Sequence, residues 1–451
     1  MPGQAYTLVA IDMGYGHLRP AYALAEVLDC EVLHVDRPPL AENKDRKLWA
    51  YVRKYYESIS RASQWPVLGW PMRNLLERVT DIRDLYAERD QSQPNTGVRI
   101  LDRLIRKGFG ATLVDHLRRS DTTLVTTFFM PAIAADRLGY DKIYCIVTDS
   151  DIHRVWAPID PVNTRIIYLV PTQRTRRRLR AYGVPEERIR VTGFPLPHEL
   201  VGGTRLTELK PQLARRLVRL DPSGVFRSDL KHAISHSLGP LPDLQGDDTI
   251  PMLTFAVGGA GSQVGLAAEF LPGMRALLSE RRLKLTLVAG VRREVAGEFE
   301  RCVHQAGLRP ELVPAGAIQI LFETEFERYL KSFNHVLRRT DMLWTKPSEM
   351  TFFAGLGLPL VLSAPVGTHE QCNRRWAREQ GAGLKQRQPR FAGRWLQDWL
   401  KDGTLAAAAW SGFTRLPNCG LYQILEALGA RDALSRLSSP GDADGEVGAR
   451  T

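Results

Sequence analysis

A chain of 451 residues is too long for one ordinary hydrophobic core, so two to three domains are expected; 44% hydrophobic against 25% charged residues is the balance of a globular protein. The longest apolar stretches, such as "LPLVLSAPVG", fall well short of the ~20 residues that a membrane-spanning helix requires, and no secretory leader is expected before the first strand-like run. Five dispersed cysteines without a CxxC pair argue against a disulfide framework or a zinc site and for a reducing, cytoplasmic setting, while a formal charge of +11 favours anionic partners.

In chain order, the first strand-length run, "TLVAID", leaves through "GYGHLRPA" at residues 14–21. Gly14 and Gly16 let the backbone turn tightly and a ligand come close, which places His17 beside whatever is bound or, more plainly, over a helix end. The runs "EVLHVD", "TLVTT", "KIYCIVT", "RIIYLV" and "RIRVTG" follow, separated by helical patterns that include a long stretch at 41–119 rich in Arg, Tyr and Trp. Such alternation implies parallel strands joined by helical crossovers. Within it "RTRRRLR" at 174–180 reads as a solvated helix face. This first unit, 1–200, closes with the Pro-rich "GFPLPHEL", and 201–250 reads as a helical linker between domains. A second unit, 251–385, repeats the alternation through "MLTFAVGG", "LKLTLVAG", "PELVPAG", "IQILFE", "DMLWT" and "PLVLSAP". Helices with Trp395, Trp399 and Trp410 fill 386–437, and 438–451 has the composition of a disordered tail.

Four further stretches bear on chemistry. "FAVGGAGSQVG" at 255–265 is a strand leaving through glycines into a helix, where backbone N–H groups and the helix dipole form an anion site. Gly258, Gly259 and Gly261 would let phosphate approach, and Ser262 and Gln263 add donors; the Walker lysine and the dinucleotide spacing are both missing. "LWTKPSEMTFFAGLGLPLVL" at 343–362 reads as a strand, a helix with Pro347 in its first turn, and a strand. Its Glu349 either caps that helix or accepts both hydroxyls of a ribose, with Lys346, Ser348 and Thr351 as neighbouring nucleotide contacts. "APVGTHEQCNRRW" at 364–376 sets Gln371 and Asn373 at a helix mouth, in reach of sugar hydroxyls. In "VTDSDIHRVW" at 147–156, Asp149 and Asp151 suit a turn at a strand exit.

The order of a GxGH turn, a GG-containing turn, "TKPSEMT" and the Pro-to-"EQCN" loop resembles the GT-B glycosyltransferases, and most closely family 28, the group of the peptidoglycan-precursor N-acetylglucosaminyltransferase and the glycosyl-diacylglycerol synthases. The resemblance covers most of residues 5–385. It implies an α/β fold of two Rossmann-like domains facing across a cleft, the second holding a nucleotide-sugar through Glu349, Gln371 and Asn373. Asp149, His153 and Trp156 match a "TD…H..W" segment that lies near the acceptor in lipid-glycosylating members. An inverting transfer needs a base for the acceptor hydroxyl, for which His17 and Asp149 are the candidates. No DxD-type pair stands at a donor site, so neither metal nor cofactor is expected beyond a UDP-type donor. The expected partners are that donor, a hydroxyl acceptor of which a lipid-linked one is an example, and an acidic membrane surface; nucleic acid is not expected. A nucleotide-sugar epimerase and a non-catalytic nucleotide or polyanion binder are the alternatives. The chain departs from the family pattern in the tyrosine inside "GYGH", the length of 195–250 and the inserted "IQILFETEFERYLKSFNHVLRRT".

Overall fold

The computed structural model describes residues 5–437 apart from 13, 43–44, 51–81, 83, 86–89, 259–262, 315 and 366. Much of the Arg- and aromatic-rich stretch at 41–119, on which the membrane expectation rests, and the 438–451 tail therefore lie outside the described residues.

Two six-stranded sheets form the scaffold. In the first, β1 (Tyr6–Ala10), β2 (Val32–His34), β3 (Thr123–Thr126), β4 (Ile143–Ile146), β5 (Ile167–Val170) and β6 (Ile189–Val191) lie in the order β2-β1-β3-β4-β5-β6. In the second, β7 (Met252–Ala256), β8 (Lys284–Gly290), β9 (Ile318–Phe322), β10 (Met342–Thr345), β11 (Leu360–Leu362) and β12 (Gly383–Lys385) lie in the order β12-β11-β10-β7-β8-β9. Every pairing is parallel. Parallel sheets are covered on both faces, which is why their strands are continuous apolar runs; all five residues of β7 are buried. The result is the GT-B architecture of two Rossmann-like domains. Its strand order reverses between β1 and β3 in one sheet and between β7 and β10 in the other, and ligands of such sheets bind at the carboxyl ends of those strands.

Two segments of the second domain differ from their sequence pattern. "PELVPAG" is a short 3-10 turn at Arg309–Glu311 followed by a loop, because Pro310 and Pro314 have no N–H to give to a ladder. The three-residue β12 went unread, since "GLK" is too short to carry a pattern.

Packing joins segments that are distant in the chain. The helix Leu209–Leu220, expected as linker, sends Leu213, Leu217 and Leu220 into the second-domain core. Its Arg216, fully buried, donates to the carbonyls of Thr340, Leu356 and Gly357. Of the final helices, Ala392–Lys401 packs Trp395 and Trp399 with Trp344 of the second domain, whereas Gly420–Leu428 returns to the first and packs Leu421, Ile424 and Leu425 with Leu8, Leu24 and Leu169.

Candidate active site at the domain junction

The exit of β1 builds the first wall. Gly14 has φ +108°, a conformation open to glycine, and α1 (Tyr15–Leu28) starts directly after it. His17 is held against the exit of β3: its Nδ1 lies 2.8 Å from the Thr127 carbonyl, and the Thr127 hydroxyl donates back to the His17 carbonyl at 2.7 Å. A carbonyl only accepts, so Nδ1 carries the proton and Nε2 is the acceptor. The ring stands edge-on to Phe128 at 4.9 Å. Burial pushes its pKa down, opposed chiefly by Asp149 and next by the Thr127 carbonyl, so the neutral imidazole is favoured.

The loop after β4 builds the second wall. Its Asp149 accepts from the Asn373 amide at 2.9 Å. Asp151 has a structural role: fully buried, it accepts two hydrogen bonds from Arg178, at 2.7 and 2.9 Å, and one from Arg174 at 2.8 Å. The "RTRRRLR" helix, α2 (Gln173–Ala181), therefore turns Arg174 and the fully buried Arg178 inward, and its reading as a wholly solvated face is corrected. His153 packs edge-on to Phe129 at 6.1 Å, its Nδ1 buried and without a hydrogen bond among the described residues, and burial pushes its pKa down to about 3. Trp156 is buried among Phe128 and Phe129.

The second domain supplies the opposing wall. After β10 the chain passes Lys346, Pro347 and Ser348 into a 3-10 helix, Glu349–Leu356; Pro347 precedes this helix and is not part of its first turn. Glu349 is 6% exposed and sits 3.3 Å from Arg19 of α1. A Cβ on Gly16 would stand 3.4 Å from its Oε2, so the glycine permits this approach. Lys346 pairs with Glu370 at 2.8 Å and passes Gly258, whose φ of +72° turns the chain out of β7. Gly259, Gly261 and Ser262 lie outside the described residues. Gln263 accepts from the Ser363 hydroxyl at 2.8 Å, tying the glycine turn to the exit of β11. The hydroxyls of Ser348 and Thr351 are buried without a hydrogen bond among the described residues.

From α3 (Thr368–Glu379), Asn373 reaches across the junction: its Oδ1 accepts from the Ser150 N–H at 2.8 Å and hydroxyl at 2.7 Å, and its Nδ2 also donates to the Pro347 carbonyl at 3.2 Å. Gln371 is not brought to the same place. Two residues apart on a helix, the side chains diverge, and Gln371 is exposed in a shallow pocket with Arg374 and Arg378.

His17, Asp149, Gly16, Glu349 and Asn373 thus converge where the two domains touch. Three contributors went unread in the sequence. Tyr15 bonds the Val291 N–H at 3.2 Å, Arg19 holds Glu349, and the charge of His369 opposes protonation of both His17 and His153. The tyrosine inside "GYGH" and the arginine inside the apolar run "HLRPAYALA" are the signals that pointed to the first two.

No protein-family model and no curated protein matches the chain. Among solved structures it is similar to the MurG of Acinetobacter baumannii, at 13% identity over 94% of this chain and 99% of that one with a TM-score of 0.49. It is also similar to the UDP-GlcNAc 2-epimerase of Neisseria meningitidis bound to UDP-GlcNAc, at 11% identity over 94% and 100% with a TM-score of 0.46. The glycosyltransferase SnogD of Streptomyces nogalater is similar at 14% identity over 95% and 99%, with a TM-score of 0.41. The fold assignment stands on the chain's own two parallel sheets.

Proposed function

We propose that the chain is an inverting glycosyltransferase of the family 28 kind that moves a sugar from a UDP-sugar to a hydroxyl acceptor. One observation carries this reading: His17 after β1 and Glu349 after β10, at the two switch points, meet Asp149 after β4 and Asn373 after β11 at the carboxyl ends of both sheets. On this reading Glu349 accepts the ribose hydroxyls, and Ser348 and Thr351, whose buried hydroxyls have no hydrogen bond among the described residues, face further polar atoms of the donor. The turn after β7 takes the diphosphate through backbone N–H groups. His17 Nε2 accepts the acceptor's hydroxyl proton while that oxygen forms its bond to the anomeric carbon; the bond to the diphosphate breaks on the opposite face, and UDP leaves with the electron pair. This scheme needs neither metal nor cofactor. The acceptor is a lipid-linked hydroxyl at an acidic membrane face, a reading supported by the +11 charge.

The test is a panel of UDP-sugars incubated with the purified chain and candidate acceptors, followed by product analysis. Release of UDP with a glycosylated acceptor supports transfer. A changed sugar still attached to UDP means an epimerase, and binding without turnover means a binding protein. Glu349→Ala should weaken UDP binding by more than about 1 kcal/mol, the loss of charge-assisted hydrogen bonds. Unchanged affinity in the folded variant removes Glu349 from the donor site.

A further inference from the structure

Arg19 holds the side chain that the ribose needs. Its Nε lies 3.3 Å from Glu349 Oε1, with both side chains almost fully buried. Its guanidinium centre stands 4.4 Å from the ring centroid of Phe333 and 5.2 Å from those of Tyr15 and Tyr329, and it donates to the Tyr329 hydroxyl. Tyr329 and Phe333 belong to the helix Phe326–Arg339. Two departures from the family pattern, the tyrosine in "GYGH" and the inserted second-domain helix, therefore form one aromatic cage around one cation.

Glu349 Oε1 is ion-paired with Arg19 across the junction, without a well-aligned hydrogen bond to its Nε, while Oε2 faces the side-chain-free Gly16. Asn373 is likewise spent on Asp149 and Ser150. A ribose hydroxyl bonding to Glu349 Oε1 competes with the ion pair to Arg19. Arg19 also lines a cavity of about 1040 Å³ with Glu26, Glu327, Glu199 and Lys331; Glu199 is already bonded to Asn334 and paired with Arg338, so Glu26 and Glu327 are the carboxylates that offer negative charge to a released guanidinium.

We propose that Arg19 sets the nucleotide affinity of the site: it occupies Glu349 when nucleotide is absent, and nucleotide binding passes the guanidinium from Glu349 to the carboxylates of this cavity. The inference rests on the reading of Glu349 as the ribose acceptor. A ligand that binds only the released state has its affinity reduced by the fraction of chains in that state. Removing the cation leaves Glu349 buried without its partner, which disfavours the paired state and raises that fraction.

The experiment is calorimetric titration of UDP into the full chain, its Arg19→Met and Glu349→Gln variants and the double variant. Met keeps an apolar stem among the three rings. Arg19→Met should bind UDP about tenfold tighter than the wild type, and in the Glu349→Gln background the same change should leave UDP affinity where it was. Arg19→Lys keeps the charge but loses the planar stack, so it should give a smaller gain in the same direction; it carries the test if the methionine variant does not fold. UDP bound no tighter by either Arg19 variant, with Glu349→Ala still weakening UDP, overturns the role of Arg19 and leaves the donor site standing. UDP affinity indifferent to Glu349→Ala overturns both.

Discussion

His17 is suited to its proposed role by the group it is bonded to more than by its place in a motif. With Nδ1 committed to the Thr127 carbonyl, only Nε2 can take a proton, and burial keeps it empty at neutral pH. His17→Ala should therefore lower the transfer rate by ~10²-fold or more, the usual contribution of a positioned base, with UDP affinity nearly unchanged. Its pKa lies below the usual 6.5, so wild-type kcat/KM should be level above that pH and fall toward acid as Nε2 fills. A pH–rate profile checks both, since the acid limb should vanish in the variant. Wild-type turnover by His17→Ala would pass the role to Asp149. The glycine turn made His17 legible in the sequence. Arg19 was not legible as its neighbour's counterpart, because Glu349 lies in the other domain and nothing local pairs the two.

At the scale of elements, a strand buried on both faces announces itself and a charged helix misleads. "MLTFA" and "LKLTLVAG" were readable because, apart from the half-buried Lys284 at the start of β8, every position is apolar or able to sit in a core. Composition alone placed all the arginines of α2 in water. The N-cap of Thr172, accepting from the Thr175 N–H, starts the helix in a phase that aims Arg174 and Arg178 at Asp151. That triad pins the loop after β4, and with it Asp149, to α2. Asp151→Ala would leave Arg178 buried without a counter-charge, and a loss of about 3–5 kcal/mol is expected in urea unfolding. A loss under about 1 kcal/mol would mean that the loop is held by its other bonds, such as those of Thr172 and Thr175 to the Ser150 carbonyl.

Across the whole molecule, the doubling of one architecture was visible in the sequence and the meeting of its halves was not. Periodicity reports each strand's own neighbours, whereas Tyr15 at Gly290, Asn373 at Ser150 and the last helices on the first sheet are contacts between residues hundreds of positions apart. The last of these is open to a direct test. A chain ending at residue 418 lacks Gly420–Leu428 and Arg431–Leu437, so it uncovers the patch that Leu421, Ile424 and Leu425 bury. Each such side chain contributes about 1.5–3 kcal/mol when buried, so the truncated chain should melt well below the full one and bind a hydrophobic dye. Identical melting curves would show the cover to be dispensable. The same packing has a meaning on the ribosome. The first sheet is complete once Val191 has emerged, yet its apolar flank waits for Gly420, an interval of roughly ten seconds to a minute at ~5–20 residues per second. For that time the nascent chain displays Leu8, Leu24 and Leu169 to solvent or to a chaperone, until the helix Gly420–Leu428 covers them.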